Sequence, residues 1–361
     1  MPYCSKCGAE LDKDAKFCPK CGTVVGPPVA RPERRRLSTL AIALIVLIVV
    51  AAIVTVLAVV TFLPHPTIHT VDVSDSRNVL YRPAVDTIIF DFAADVAGVN
   101  IAFEDLAGRL VTLDVSVTGK VEIYDSDVSD LAFDDVVDLT FDDTIEDNVL
   151  TVTSEFDSTD ERVRRWISLS VTFDILIDPS LNASLDVRTS VGGIRLDTQA
   201  GVVFDSLRLR ATTGGVEANL VEDVVVAGDV SAKTTTGGVD FFWDNLIVTK
   251  NIQVDVQTVT GGVEVDITQH REIAGDIVLE AEATTGGLDF FIDIQGEVGA
   301  IGRATAGDSD YVHPQVVGFE INFLDFPPAV MRSDNYPAGN NFDVTLKIVT
   351  GRIDIDAEYT P

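Results

Sequence analysis

The sequence predicts a mostly β chain: a right-handed β-solenoid or β-helix-like domain, preceded by a single membrane-length α-helix and a small cysteine-rich head. Three observations predict it. Residues 67–361 alternate apolar and polar side chains almost throughout, as in Val263-Glu-Val-Asp-Ile267, Val254-Asp-Val-Gln257, Leu207-Arg-Leu-Arg-Ala211 and Ile353-Asp-Ile-Asp-Ala357. A period of two with β-branched residues marks half-buried strands. A Gly-Gly motif recurs with its first glycine at 192, 214, 237, 261 and 286, at intervals of 22, 23, 24 and 25 residues. Leu37 to Leu63, 27 residues, contains no charged side chain.

The repeat reads Ser190-Val-Gly-Gly-Ile194, Thr212-Thr-Gly-Gly-Val216, Thr235-Thr-Gly-Gly-Val239, Val259-Thr-Gly-Gly-Val263 and Thr284-Thr-Gly-Gly-Leu288, with degenerate copies at Val117-Thr-Gly-Lys-Val121 and Val349-Thr-Gly-Arg-Ile353. A regular period above twenty residues implies one coil per repeat, each burying its apolar face against the next. Gly-Gly permits the positive φ that a corner between two strands needs. The threonines before it suit an exposed strand end, where stacking in register lets their hydroxyls bond one another. An antiparallel sandwich with Gly-Gly as a hairpin turn is the alternative, and the near-constant spacing favours the coil. Solenoid ends need caps. Residues 67–115 break the period, and so do residues 296–345, since Gly286 and Gly351 lie 65 residues apart. The second insert holds Tyr311, Phe319, Phe323, Phe326 and Ser333-Asp-Asn-Tyr-Pro337; it reads as a cap, or as a recognition loop.

The uncharged run exceeds the roughly 20 residues that span a bilayer core. It is too long for the apolar region of a signal peptide, and Pro64 and Pro66 mark its end. Arg31, Arg34, Arg35 and Arg36 lie just before it, and Arg77 is the first basic residue after it. The positive-inside rule puts the N-terminus in the cytoplasm and residues 64–361 outside the cell. Residues 27–36 form a basic, proline-rich linker between the head, residues 1–26, and the membrane helix, residues 37–63.

All four cysteines lie in the head, as Cys4-Ser-Lys-Cys7-Gly8 and Cys18-Pro-Lys-Cys21-Gly22. Two residues between thiolates let a loop aim both sulfurs at one ion, and two such knuckles supply four ligands, the set for tetrahedral Zn2+. Cys4, Cys7, Cys18 and Cys21 are therefore the expected ligands of a structural zinc ion, with iron or free thiols as the other readings. Four sulfurs leave no open position for substrate, so the site is not catalytic. The stretch resembles the short zinc-ribbon domains at the N-termini of many archaeal and bacterial membrane proteins, over residues 2–23.

The charge is uneven. Residues 1–63 hold eight Lys/Arg and four Asp/Glu; the remaining 298 then hold 18 and 53, a net of −35. Such a surface repels nucleic acid, which is excluded as a partner of the large domain. The acids are 41 Asp and 16 Glu and the bases 18 Arg and 8 Lys, a bias that resembles proteins of salt-adapted archaea. A solvated surface for salty water explains it, with divalent-cation binding by Asp clusters as the sharper reading. Asp125-Ser-Asp127-Val-Ser-Asp130 looks like a calcium loop but lacks the glycine and distal glutamate of an EF-hand. Asn182-Ala-Ser184 is an N-glycosylation sequon.

The Thr-Thr-Gly-Gly-Val repeats, with Asn335-Tyr336 and Phe342-Asp-Val-Thr-Leu-Lys-Ile-Val-Thr-Gly-Arg-Ile-Asp-Ile355, resemble the putative-adhesin family of β-solenoid domains, related to the "toastrack" domains of cell-envelope stress proteins. The resemblance covers residues 85–357 and implies the fold more than a function. No catalytic residue is assigned. The four histidines, His65, His69, His270 and His313, are scattered, and no nucleophile motif, phosphate loop or dinucleotide fingerprint is present. Carboxylate pairs such as Asp134-Asp135 and Asp142-Asp143 are expected by chance at this acid content. The expected function is thus a membrane-anchored, non-enzymatic surface protein. It would contact the lipid bilayer, bind an extracellular protein or glycan, or contribute structurally to the envelope. The alternatives are a transmembrane envelope-stress sensor whose zinc ribbon engages a cytoplasmic protein and, more distantly, a glycan-cleaving enzyme.

Overall fold

The computed structural model describes residues 2–25, 39–62, 67–123, 131–158, 163–307, 312–323 and 329–361. The expected linker 27–36, the arginines at 31 and 34–36, His65, Tyr311, Phe326 and the calcium-like loop Asp125–Asp130 lie outside the described residues. The chain divides into two units, Met1–Leu63 and Pro64–Pro361.

In the first unit, each cysteine knuckle turns on one backbone bond: Gly8 N–H donates to the Cys4 carbonyl at 2.9 Å and Gly22 N–H to that of Cys18 at 2.8 Å. Single bridges flank them, Tyr3 with Glu10 and Phe17 with Val24. The core is tiny: Cys4, Leu11 and Cys18, with Ala9 and Val25 against them. Helix α1 runs Thr39–Phe62, 24 residues without an acidic or basic side chain. Its side chains are described over 43–59, where Leu44, Ile48, Val50, Ile53 and Leu57 are all exposed. Among the described residues no helix is long and apolar enough to cross a membrane. The described side chains cover only part of α1, whose backbone is longer.

The second unit is almost all strand. Its first part comprises β1 Thr67–Leu80, β2 Thr87–Val96, β3 Gly98–Phe103, β4 Arg109–Ile123, a 3-10 turn Phe133–Asp135, β5 Asp138–Glu146, β6 Val149–Asp157 and β7 Val163–Ile177. The repeats follow as β8 Asn182–Val191, β9 Ile194–Asp197, β10 Val203–Thr213, β11 Val216–Leu220, β12 Val225–Val226, β13 Val230–Thr236, β14 Val239–Asp244, β15 Ile247–Val248, β16 Ile252–Thr260, β17 Val263–Gln269 and β18 Ile277–Gln295. The last part is β19 Val298–Thr305, β20 Val312–Val317, β21 Phe319–Phe323, β22 Ala329–Ser333 and β23 Asn340–Thr360.

The repeat strands pair in parallel, each with its counterpart one repeat on, so the sheet is solenoid-like and a sandwich of hairpins does not form. Before each Gly-Gly corner the ladder runs β8–β10–β13–β16–β18–β23. After it the ladder runs β9–β11–β14–β17–β18–β23. The first glycine of each pair sits at positive φ, from 128° at Gly192 to 151° at Gly286. A Cβ added to Gly237 would lie 2.1 Å from the Gly214 carbonyl oxygen, and one on Gly261 would lie 1.9 Å from that of Gly237. The corner therefore needs glycine for its dihedral and for the approach of the next coil.

Two expectations are corrected. The threonines directly before the glycines do stack in register, Thr213, Thr236, Thr260, Thr285 and Thr350 each opposite the next, but among the described residues no hydroxyl bond joins them. The threonine three places before the corner donates to the neighbouring coil's corner carbonyl: Thr234 Oγ1 to Gly214 O at 2.7 Å, Thr258 Oγ1 to Gly237 O at 2.9 Å and Thr189 Oγ1 to Ala97 O at 3.1 Å. Each of these hydroxyls thus satisfies a corner carbonyl. The copy at Val117–Val121 is not a corner either: Gly119 lies within β4, opposite Val71 of β1 and Leu169 of β7 in antiparallel pairs.

At both ends the stacking order departs from chain order. Within 67–115, β2 and β3 join the parallel stack, β2 between β6 and β8 and β3 between β7 and β9. β1 and β4 extend β7 antiparallel, and β5 closes on β6 as a hairpin. Within 296–345, β19 and β20 pair in parallel with β23, which thus lies between them and β18. β22 pairs antiparallel with β19 and β21. Ser333 Oγ, buried, accepts from Ala300 N–H at 2.9 Å, and Asn335 Nδ2 donates to the Gly296 and Val298 carbonyls at 2.9 and 3.0 Å. One apolar core fills the stack from Val71 to Tyr359, with edge-on aromatic contacts at Phe92–Phe173, Phe103–Phe204 and Trp243–Phe342.

Candidate functional site

The two knuckles bring Cys4, Cys7, Cys18 and Cys21 together, with all four sulfurs within 4.8 Å of one another. Cys4 and Cys21 sulfurs are 3.6 Å apart, as are those of Cys7 and Cys18. A tetrahedral ion with Zn–S bonds of about 2.3 Å sets its sulfurs roughly 3.8 Å apart, so the residues fit the ion that the sequence implies. Electrostatics point the same way. Backbone N–H groups of Lys6 and Cys7 pull the Cys4 thiol down. The Thr23 hydroxyl and N–H pull Cys21 down to about 6. The Ala9 N–H favours the Cys7 thiolate, but the sulfurs of Cys21 and Cys18 outweigh it and push Cys7 up to about 12. A cation between the four sulfurs would relieve that competition for charge. Among the described residues no other group of three or more His, Cys, Asp or Glu converges in this way.

The strand register assembles a feature that the sequence reading does not contain. Glu217, Asp240, Glu264, Asp289 and Asp354 occupy one column of the ladder after the corners, each opposite the next. Arg195 heads the column, 2.9 Å from Glu217, and Arg352, on Asp354, closes it. Between them, burial and the Glu217 charge push the Asp240 carboxyl up; burial and the charges of Asp240 and Asp289 do the same to Glu264. Asp289 is raised by burial and by Asp354. In contrast, the Arg195 guanidinium holds Asp197 down, and Arg165 with Arg164 holds Glu122 down.

The remaining sequence candidates stay apart. His69 Nε2 lies 2.7 Å from Thr67 Oγ1, His270 Nε2 lies 2.8 Å from Asp293 Oδ2, and His313 sits on β20 opposite Asp354. Asp135 accepts the Ala132 N–H at 3.0 Å, a local turn bond, and Asp142 and Asp143 are exposed on β5. Asn182, half-buried, starts β8 between Thr87 and Val203.

Residues 3–25 match the family model of the zinc-ribbon domain. No curated protein matches the chain. Among solved structures, the chain is similar to a "putative cell adhesion protein" from Clostridium sporogenes at 11% identity and TM-score 0.36, covering 80% of this chain and 100% of that one. It is similar to a "putative adhesin" from Bacteroides fragilis at 10% identity and TM-score 0.31, covering 81% and 98%. A third, a "putative adhesin" from Parabacteroides distasonis, gives 10% identity and TM-score 0.27, covering 80% and 97%.

Proposed function

We propose that the chain is a membrane-anchored, non-enzymatic surface protein. Residues 37–63 cross the bilayer, the ribbon of residues 1–26 holds one structural Zn2+ on Cys4, Cys7, Cys18 and Cys21 in the cytoplasm, and residues 64–361 form a right-handed coil outside that binds proteins or glycans. Helix α1 carries the reading. It lies within the uncharged run Leu37 to Leu63, 27 residues in sequence where roughly 20 span a hydrocarbon core of about 30 Å. Its described apolar side chains are exposed on every side, an arrangement that water disfavours and lipid satisfies. Parallel strand crossovers are right-handed in almost every case, which supports the hand of the coil. Protease added to intact cells is expected to remove the β domain and spare the ribbon; the reverse pattern overturns the topology.

A second reading is transmembrane sensing. Tyr3, Phe17 and Val24 of the ribbon are exposed, available to a cytoplasmic partner. Deleting residues 1–26 separates the two: a sensor loses its response, whereas an adhesin keeps its binding.

A further inference from the structure

The β domain carries a groove of about 800 Å³ across seven strands, β6, β2, β8, β10, β13, β16 and β18. At about 4.8 Å per strand it is some 29 Å long. Along its floor Arg188, Arg210 and Lys233 stand opposite one another on consecutive strands. Like charges in direct register cost stability, and this chain has more than twice as many acids as bases with which to avoid them. The outer two are satisfied: Arg188 by Asp186 at 3.0 Å and Asp91 at 3.1 Å, Lys233 by Asp255 and by Gln257 at 3.2 Å. Arg210, exposed between them, has no ion-pair or hydrogen-bond partner among the described residues. Its guanidinium is a planar fork open to a carboxylate.

One end of the groove has the opposite sign. Glu155 and Asp157 line one end and Glu282, held by Lys347 at 2.6 Å, the other. A densely charged polymer such as nucleic acid meets repulsion at the Glu155 end; a chain with isolated carboxylates seats one at Arg210 and keeps neutral units over the acids. The exposed Thr212 and Thr235 on the groove wall offer hydroxyls to such units. An extended peptide is disfavoured because every lining strand is paired on both sides, leaving no backbone for strand addition.

We infer that this groove binds a polysaccharide bearing isolated carboxylates, a uronate-containing glycan, with Arg210 as the central contact. The inference deepens the surface-binding reading and rests on it for access to envelope glycans. Full-length protein in detergent micelles is titrated with labelled oligosaccharides of hyaluronan, polygalacturonate and neutral dextran, and with single-stranded DNA, as wild type, Arg210→Glu and Arg208→Glu. Arg208 is an exposed arginine on the same strand, outside the groove lining. Binding of hyaluronan, whose carboxylates alternate with neutral sugars, and of neither polygalacturonate, charged at every sugar, nor dextran nor DNA, is expected; it weakens about tenfold or more in Arg210→Glu, the loss of one charge-assisted bond, and is unchanged in Arg208→Glu. No binding of hyaluronan, equal binding of polygalacturonate, dextran or DNA, or equal loss in both variants overturns it. Binding in micelles is indifferent to orientation in a membrane, so this result and the protease result fail separately.

Discussion

The first glycine of each corner carries two constraints that no other residue meets. At Gly237 the φ is 143°, and a methyl group would stand 2.1 Å from a backbone oxygen of the preceding coil. A strained dihedral and an overpacked contact each cost about 1–3 kcal/mol. Gly237→Ala is therefore expected to lower the unfolding free energy of the β domain by about 3–5 kcal/mol, read as a shifted urea midpoint of the strand circular-dichroism signal. The second glycine differs. An added Cβ at Gly287 meets nothing within 4 Å, so Gly287→Ala is expected to move the midpoint by no more than about 0.5 kcal/mol equivalent. Equal effects at both sites would remove the steric account of the corner. The distinction was partly legible in sequence, because the copy at Gly351-Arg352 keeps the first glycine and replaces the second. What spacing could not show is the carbonyl facing Gly351, that of Gly286 in the adjacent coil, since that contact exists only after stacking.

At the scale of elements, local signals were readable and long-range pairings were not. The cysteine knuckles are closed by bonds spanning four residues, Cys4 to Gly8 and Cys18 to Gly22, so the spacing alone implied four converging thiols. The coil of β2 and β3 had no such signal: its corner is Ala97-Gly98, and it meets the Gly192 corner across 95 residues of sequence. Period-two alternation also reads the same in antiparallel β4 as in parallel β10, which is why Gly119 passed for a corner. The acidic column and the groove were illegible for a related reason, since each collects one residue per strand and depends on register. The ribbon's small core makes its own prediction. With only Cys4, Leu11 and Cys18 buried, the metal must supply most of the folding free energy, on the order of 10 kcal/mol for such sites. The purified chain is expected to carry one zinc per molecule. Stripping it with a strong chelator, or the change Cys18→Ser, should render the ribbon protease-sensitive while leaving the β-domain circular dichroism unchanged. Persistence of a protease-resistant ribbon without metal would rule out the structural role.

Across the whole molecule, the net charge of −31 and the column from Glu217 to Asp354 make stability depend on solution conditions in a defined direction. Adjacent rungs are about 4.8 Å apart. The screening length is about 8 Å at 0.15 M salt and about 3 Å at 1 M, so neighbouring carboxylates repel at physiological ionic strength and are screened only in molar salt. The same repulsion, with burial, raises Asp240, Glu264 and Asp289 in the folded state. A group raised on folding stabilises the fold when protonated, and that contribution is lost as pH rises through its folded value. Asp197 and Glu122 are lowered; their contribution is present near neutrality and is lost as pH falls through their folded values, below the ordinary carboxylate range of about 4. Stability at low salt is therefore expected to rise as pH falls from neutrality toward the ordinary carboxylate range of about 4 and to fall again in stronger acid. Raising salt toward 1 M at neutral pH should increase the melting temperature and flatten the rise. Glu264→Gln, which removes the central charge of the column, should raise the melting temperature at neutral pH and low salt and leave it unchanged in molar salt. A melting temperature at neutral pH that is insensitive to both salt and Glu264→Gln would mean that the stacked carboxylates are already neutralised by another route, and the column would then carry no strain for salt or acid to relieve.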